Sequence, residues 1–131
     1  MVKIRTGKVK GSGFEYDCQY NLQRWTIHPV NRTAERGYQR EYDLHIDTDN
    51  GYIAIECKRL AGISWNQLVK FYEKLEKVTP DAELRYLLFK SNRQPCLVFT
   101  RKVKNGPFII ESFEEHFMLS FDKHPSTRAK K

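Results

Sequence analysis

Asp43, Glu56 and Lys58 sit on either side of an Asn-Gly turn, and their spacing decides whether they can act together. Tyr42 to Thr48 and Tyr52 to Lys58 alternate polar with apolar residues around Asp49-Asn50-Gly51. Asn-Gly between two alternating runs is a strong hairpin signal, because both residues tolerate the positive φ of a tight turn. With Asn50-Gly51 as the turn residues, Asp49 faces Tyr52, Asp47 faces Ala54, His45 faces Glu56 and Asp43 faces Lys58. Alternate residues of a strand share a face. One face therefore carries Asp43, His45, Asp47, Glu56 and Lys58, and the other carries Leu44, Ile46, Ile53, Ile55 and Cys57 toward a core. Diagonal cross-strand neighbours lie ~7–8 Å apart, so the Asp43 and Glu56 carboxylates can reach one cation between them. Two convergent carboxylates with a lysine at their edge suit a hard, oxygen-liking ion such as Mg²⁺. They also suit the use of that ion to orient a phosphate and activate a water. The lysine can hold the water and stabilise charge at the attacked phosphate. The plainer alternative is an exposed hairpin face with a cross-strand Asp–Lys pair, which contributes little to stability.

The elements around the hairpin follow from pattern and caps. Gly11-Ser12-Gly13 predicts a break before a first helix, Phe14 to Gln23, with Ser12 or Gly13 near its N-cap. Arg24 to His28 has strand composition and ends at Pro29, and the polar stretch from Pro29 to Arg40 reads as a loop. From Ser64 to Val78, Trp65, Leu68, Val69, Tyr72, Leu75 and Val78 recur at helical spacing. Ser64 with Gln67 forms a capping box, and Pro80 stops the helix. Strand-like runs follow at Arg85 to Lys90, Cys96 to Arg101 and Phe108 to Ile110, then a short helix from Ser112 to Phe121 opened by Ser112 and Glu115. The order predicts one mixed sheet with helices against it, an α/β sandwich.

The chain has 131 residues, enough for one compact domain. Lys and Arg number 23 against 16 Asp and Glu, for a net charge of +7. A basic excess favours a polyanionic partner, since surface cations release counterions from nucleic-acid phosphates. Lys3, Arg5, Lys8 and Lys10 crowd one end and Arg128, Lys130 and Lys131 the other, so residues 1–10 and 123–131 are expected to be flexible basic arms. No apolar run approaches the ~20 residues of a membrane span, and Met1-Val2-Lys3-Ile4-Arg5 does not open a signal core. Cys18, Cys57 and Cys96 match neither a disulfide framework nor a zinc site, which points to a reducing interior such as cytoplasm. His28, His45, His116 and His124 lack zinc spacing, and no serine-hydrolase or phosphate-loop motif occurs. Phe108, Phe113, Phe117 and Phe121 are expected mostly in the core.

Tyr42-Asp43 followed by Ile55-Glu56-Cys57-Lys58 at the end of a hairpin resembles the bipartite signature of the PD-(D/E)xK nuclease superfamily. Tyr42 departs from the pattern, where the name calls for proline. The resemblance implies a restriction-endonuclease-like fold, a mixed central β-sheet flanked by helices. It makes Asp43 the family aspartate, Glu56 the acidic residue and Lys58 the lysine. Such families often add an acidic residue on the first helix, and Glu15 occupies that place. The implied catalytic set is Glu15, Asp43, Glu56 and Lys58, with Glu15, Asp43 and Glu56 as ligands of Mg²⁺, for which Mn²⁺ can substitute. Gln67 matches a glutamine often found on the following helix and is equally a capping residue; His45 reads as a site neighbour or a surface histidine. Asp47 shares the carboxylate face but lies nearer the turn. The layout as a whole is similar to archaeal-type Holliday junction resolvases, which also occur in phages. That similarity implies metal-dependent hydrolysis of four-way DNA junctions by a homodimer, in the cytoplasm of the cell or host. Expected phosphate contacts are Arg5, Lys8, Lys10, Arg32, Arg36 and Arg40. Two other readings stay open: the same chemistry on a flap, an end or a restriction-type site, and a nucleic-acid-binding module without catalysis.

Overall fold

A computed structural model describes residues 6–33 and 41–117, with the side chains of the first helix described from Gly13 on. Its elements run α1 (Thr6–Gln23), β1 (Val30–Arg32), β2 (Leu44–Thr48), β3 (Gly51–Arg59), α2 (Trp65–Val78), β4 (Leu84–Lys90), β5 (Leu97–Thr100) and β6 (Ile109–Ser112). The strands form one sheet in sequential order, β1-β2-β3-β4-β5-β6. Only β3 and β4 pair in parallel; all other neighbours are antiparallel. A parallel pair needs a long crossover, and α2 supplies it. The expected mixed sheet with flanking helices is present. No helix among the described residues is long and apolar enough to cross a membrane.

β4 is the buried centre of the sheet. Tyr86 and Leu88 point into one core layer with Leu44, Ile46, Ile53 and Ile55, under Phe14, Cys18 and Leu22 of α1 and Phe113 and Phe117 of a short helical segment at residues 113–117. Leu87 and Phe89 point the other way, with Phe99, onto Leu68 and Tyr72 of α2. A near-continuous apolar run is what burial on both faces requires. The phenylalanines expected in the core are there at 113 and 117; Phe108 is partly buried against the second layer, and Phe121 lies outside the described residues. The three free cysteines, distant in sequence, meet in the first layer, where Cys18 lies against both Cys57 and Cys96. Thiol contacts push Cys18 and Cys96 up and burial pushes Cys57 up, so all three behave as inert apolar groups.

Caps set α2 as expected: the Ser64 side chain accepts from Gln67 N–H, and Gln67 Oε1 accepts from Ser64 N–H at 3.0 Å. Three local expectations change. α1 begins at Thr6 and runs through Gly11-Ser12-Gly13, so those residues neither break nor cap it, and its first turns occupy part of the stretch read as an arm. Glycine inside a helix costs about 1 kcal/mol relative to alanine, which the rest of an 18-residue helix can absorb. Arg24 to His28 is a turn, not a strand. The Gln23 side chain donates to His28 O and accepts from Val30 N–H, both at 2.8 Å, and so folds the chain back after the helix. Extended structure begins after Pro29, inside the stretch read as loop.

The hairpin is the third change. Thr48 pairs with Gly51, so the turn residues are Asp49 and Asn50. Neither has the positive φ that an Asn-Gly turn of the expected type requires. Within the hairpin positive φ falls on Gly51, at 148°, and Gly51 belongs to β3 rather than to the turn. The register shifts by two residues: His45 faces Ala54, and Asp47 faces Tyr52. A shift of two preserves the faces, so from Leu44 on the expected sets hold while the partners change.

Candidate active site

The shifted register brings Asp43 beside Glu56 instead of Lys58, and a local irregularity aims it. Leu44 pairs with Ile55, and the Asp43 N–H also donates to Ile55 O, at 3.0 Å. Two residues against one is the arrangement of a β-bulge, which re-aims side chains next to functional sites. Tyr42 thereby joins Ala54 and Leu75 on the α2 side, although strict alternation would place it with Leu44. Asp43 Oδ2 accepts the Cys57 N–H at 2.8 Å.

Three carboxylates and two cations meet here. Glu56 Oε2 lies 3.5 Å from Lys58 Nζ, two residues along the same face of β3. The lysine ammonium lies over the Phe71 ring of α2, 4.8 Å from its centroid. Glu15 comes from α1, and its Oε1 is 3.1 Å from Arg32 Nη2 of β1. The Arg32 guanidinium also stacks 4.1 Å from the Tyr16 ring. Arg32 was expected on a phosphate-binding surface; the fold turns it inward and sets its charge on Glu15.

Burial and mutual repulsion shape the proton affinities. Asp43 is pushed up to about 7, first by burial and then by the Glu56 charge, against the Cys57 N–H that favours its ionised form. Burial also raises Glu56, opposed by Lys58. Glu15 is raised by burial and by the Asp43 charge, opposed by Arg32. Carboxylates crowded this way lack positive charge. Glu56 Oε1 is buried with no hydrogen-bond partner among the described residues, an acceptor without a donor. No three His, Cys, Asp or Glu side chains among the described residues stand as a ready metal cage. The convergent pair is Asp43 and Glu56, and Glu15 of α1 reaches Asp43 with its charge offset by Arg32. One or two carboxylates plus waters suffice for Mg²⁺, so the residues present fit that ion.

The remaining candidates are sorted by the fold. His45 is not a surface residue: it is 4% exposed. Its ring lies flat on Tyr52, at 4.8 Å between centroids. Its Nε2 is 2.9 Å from Asp47 Oδ1 and its Nδ1 2.7 Å from the Tyr42 hydroxyl. The Asp47 carboxylate accepts, so Nε2 carries hydrogen, and in the neutral ring Nδ1 then accepts from the Tyr42 hydroxyl. Asp47, with its side chain 69% exposed, ends this chain at solvent and stays out of the carboxylate pair. Gln67 is occupied with the helix cap and exposed. Arg5, Arg36, Arg40 and the side chains of Lys8 and Lys10 lie outside the described residues.

The His45 chain braces the residue next to Asp43, which makes it testable. Tyr42→Phe keeps the ring but removes the hydroxyl bonded to His45 Nδ1, so stability is expected to fall by about 1 kcal/mol in denaturant titration. The Cys57 amide, which reports the Asp43 carboxylate, should then exchange with solvent faster than in the wild type. Unchanged exchange would show that the bulge holds without the brace.

No protein-family model matches the sequence, and no curated protein matches it. Among solved structures, the chain is similar to Hjc, a Holliday junction resolvase from the archaeal hyperthermophile Archaeoglobus fulgidus. The two share 21% identity over 80% of this chain and 85% of that chain, with a TM-score of 0.44. A likeness of that size carries no weight for activity, which has to come from the side chains.

Proposed function

We propose that this chain is a divalent-metal-dependent DNA endonuclease of the PD-(D/E)xK type, acting as a homodimer on four-way junctions. One observation carries the reading: Asp43 and Glu56 are buried side by side, both raised in pKa, with Lys58 at their edge and one carboxylate oxygen unpaired. A protein that only bound nucleic acid would gain nothing by holding such a pair against phosphates.

Asp43 and Glu56 would hold Mg²⁺ or Mn²⁺, with Glu15 available if Arg32 swings away. A hard cation held there supplies Lewis acidity toward a phosphate oxygen and lowers the pKa of a water. Lys58 sits where an ammonium can orient the attacking water and offset the charge that builds on the phosphate. Arg32 offsets Glu15, so that the site does not repel its substrate outright. The basic excess favours DNA electrostatically. The choice of a four-way junction follows the motif layout. Each subunit carries one site, so paired cuts in two strands require two subunits.

A four-way junction labelled on each strand in turn, incubated with and without Mg²⁺, tests the proposal. Paired symmetric nicks only with Mg²⁺ or Mn²⁺ are expected. Scattered or end-directed products would move the substrate to a flap, an end or a restriction-type site. No product under any metal would leave a binding module.

A further inference from the structure

The charged residues of α2 are segregated around its axis. At about 3.6 residues per turn, the order around the helix is Phe71, Lys74, Lys70, Lys77, Glu73, Glu76. Phe71 lies under Lys58 at the carboxylate site. Glu76, at the opposite edge, is bonded to Arg101 at 2.7 Å. The three lysines therefore form a stripe along the outer side of α2, with Lys74 nearest the site and Lys77 at the helix end, where it also lines the depression shared by Glu73, Glu76 and Arg101. All three are exposed, and none forms an ion pair with the described residues. Lys74, the middle one, lines a small cavity of about 70 Å³ with Glu41, Glu56, Lys58, Phe71 and Leu75. It is close enough for its charge to favour the ionised form of Glu56.

We propose that Lys70, Lys74 and Lys77 are a phosphate-binding track that leads a nucleic-acid strand into the carboxylate site. The inference rests on the nuclease reading for what lies at the end of the track. Charge complementarity selects the occupant: three unpaired cations along ~10 Å of helix cover about three phosphates of one strand at 3.4 Å of rise each. Without such an occupant the stripe would be only a solvated helix face, and removing it would leave the salt dependence of binding unchanged.

Fluorescence anisotropy of a labelled four-way junction in EDTA, across a salt series, tests the track without any cleavage. Lys70→Gln, Lys74→Gln and Lys77→Gln are each expected to weaken binding and to make the slope of log Kd against log salt shallower by roughly 0.7–0.9. The triple variant should show the sum, while Lys74→Arg keeps the wild-type slope. Circular dichroism melts should match the wild type, since the three side chains are exposed. A triple variant with the wild-type slope would overturn the track. Lysine-dependent binding with no cleavage under any metal supports the track and sinks the nuclease reading. A wild type that binds no DNA overturns both.

Discussion

Asp43→Asn is expected to abolish Mg²⁺-supported cleavage, with a loss on the order of 10³-fold or more, about 4 kcal/mol of transition-state stabilisation. DNA binding in EDTA should change by less than roughly threefold, because phosphate contacts by lysine and arginine carry it. The same substitution should stabilise the metal-free protein at pH 8. The Asp43 carboxyl is held up to about 7 in the fold against 3.8 for the free group. Between those values the folded protein keeps a proton that the unfolded chain has released, so stability falls as pH rises from about 4 to 7. Burial of Glu56 and Glu15 adds to the fall with the same sign. Asparagine removes the largest part of this cost, and the Tm at pH 8 should rise by roughly 5 °C. At pH 5, where the wild-type carboxyl is protonated, the two proteins should melt within about 1–2 °C of each other. Mg²⁺ should raise the wild-type Tm more at pH 8 than at pH 5, and should have little effect on the variant. Full cleavage by Asp43→Asn would sink the site assignment. A Tm at pH 8 below that of the wild type would show that the Cys57 N–H bond outweighs the crowding.

Glu76→Ala is expected to have the largest effect on stability, a loss of about 3 kcal/mol. Glu76 of α2 takes two bonds from Arg101, 2.7 and 3.0 Å, with both side chains mostly buried. The guanidinium also lies 4.4 Å from the Phe108 ring centroid, while the Tyr72 hydroxyl of the same helix bonds the backbone of Arg85 and Arg101. Alanine leaves that mostly covered guanidinium without its anion, which costs more than an exposed pair would contribute. Unfolding in urea measures the loss, and a midpoint shift worth less than 1 kcal/mol would mean that Arg101 turns to solvent freely. Because α2 also carries Phe71 and Lys74 to the site, the variant should retain activity only well below its lowered Tm.

Much of the local structure was legible. The β2–β3 hairpin, the Ser64–Gln67 capping box and the amphipathic face of α2 are short-range patterns, and the fold reproduces each. Glu56 and Lys58 could be placed on one face because a period of two survives even a shifted register, whereas Asp43, just before β2, reaches them through the bulge. The shift itself was not legible: it depends on which residue takes positive φ, and Gly51 rather than the Asn50-Gly51 pair does so. Nor could α1 be bounded, since two glycines that usually break a helix are carried by its later turns.

The sequence by itself determined which residues are candidates for chemistry and which elements carry them, because periodicity, capping and turn residues act over a few positions. Tertiary structure alone decided their states. Arg32 meets Glu15 across 17 positions, His45 is sealed between Tyr42 and Tyr52, and Asp43 is turned toward Glu56 by a bulge. Charge and proton affinity depend on desolvation and on neighbours brought from other elements. A row of letters carries neither until the sheet and its helices close over them.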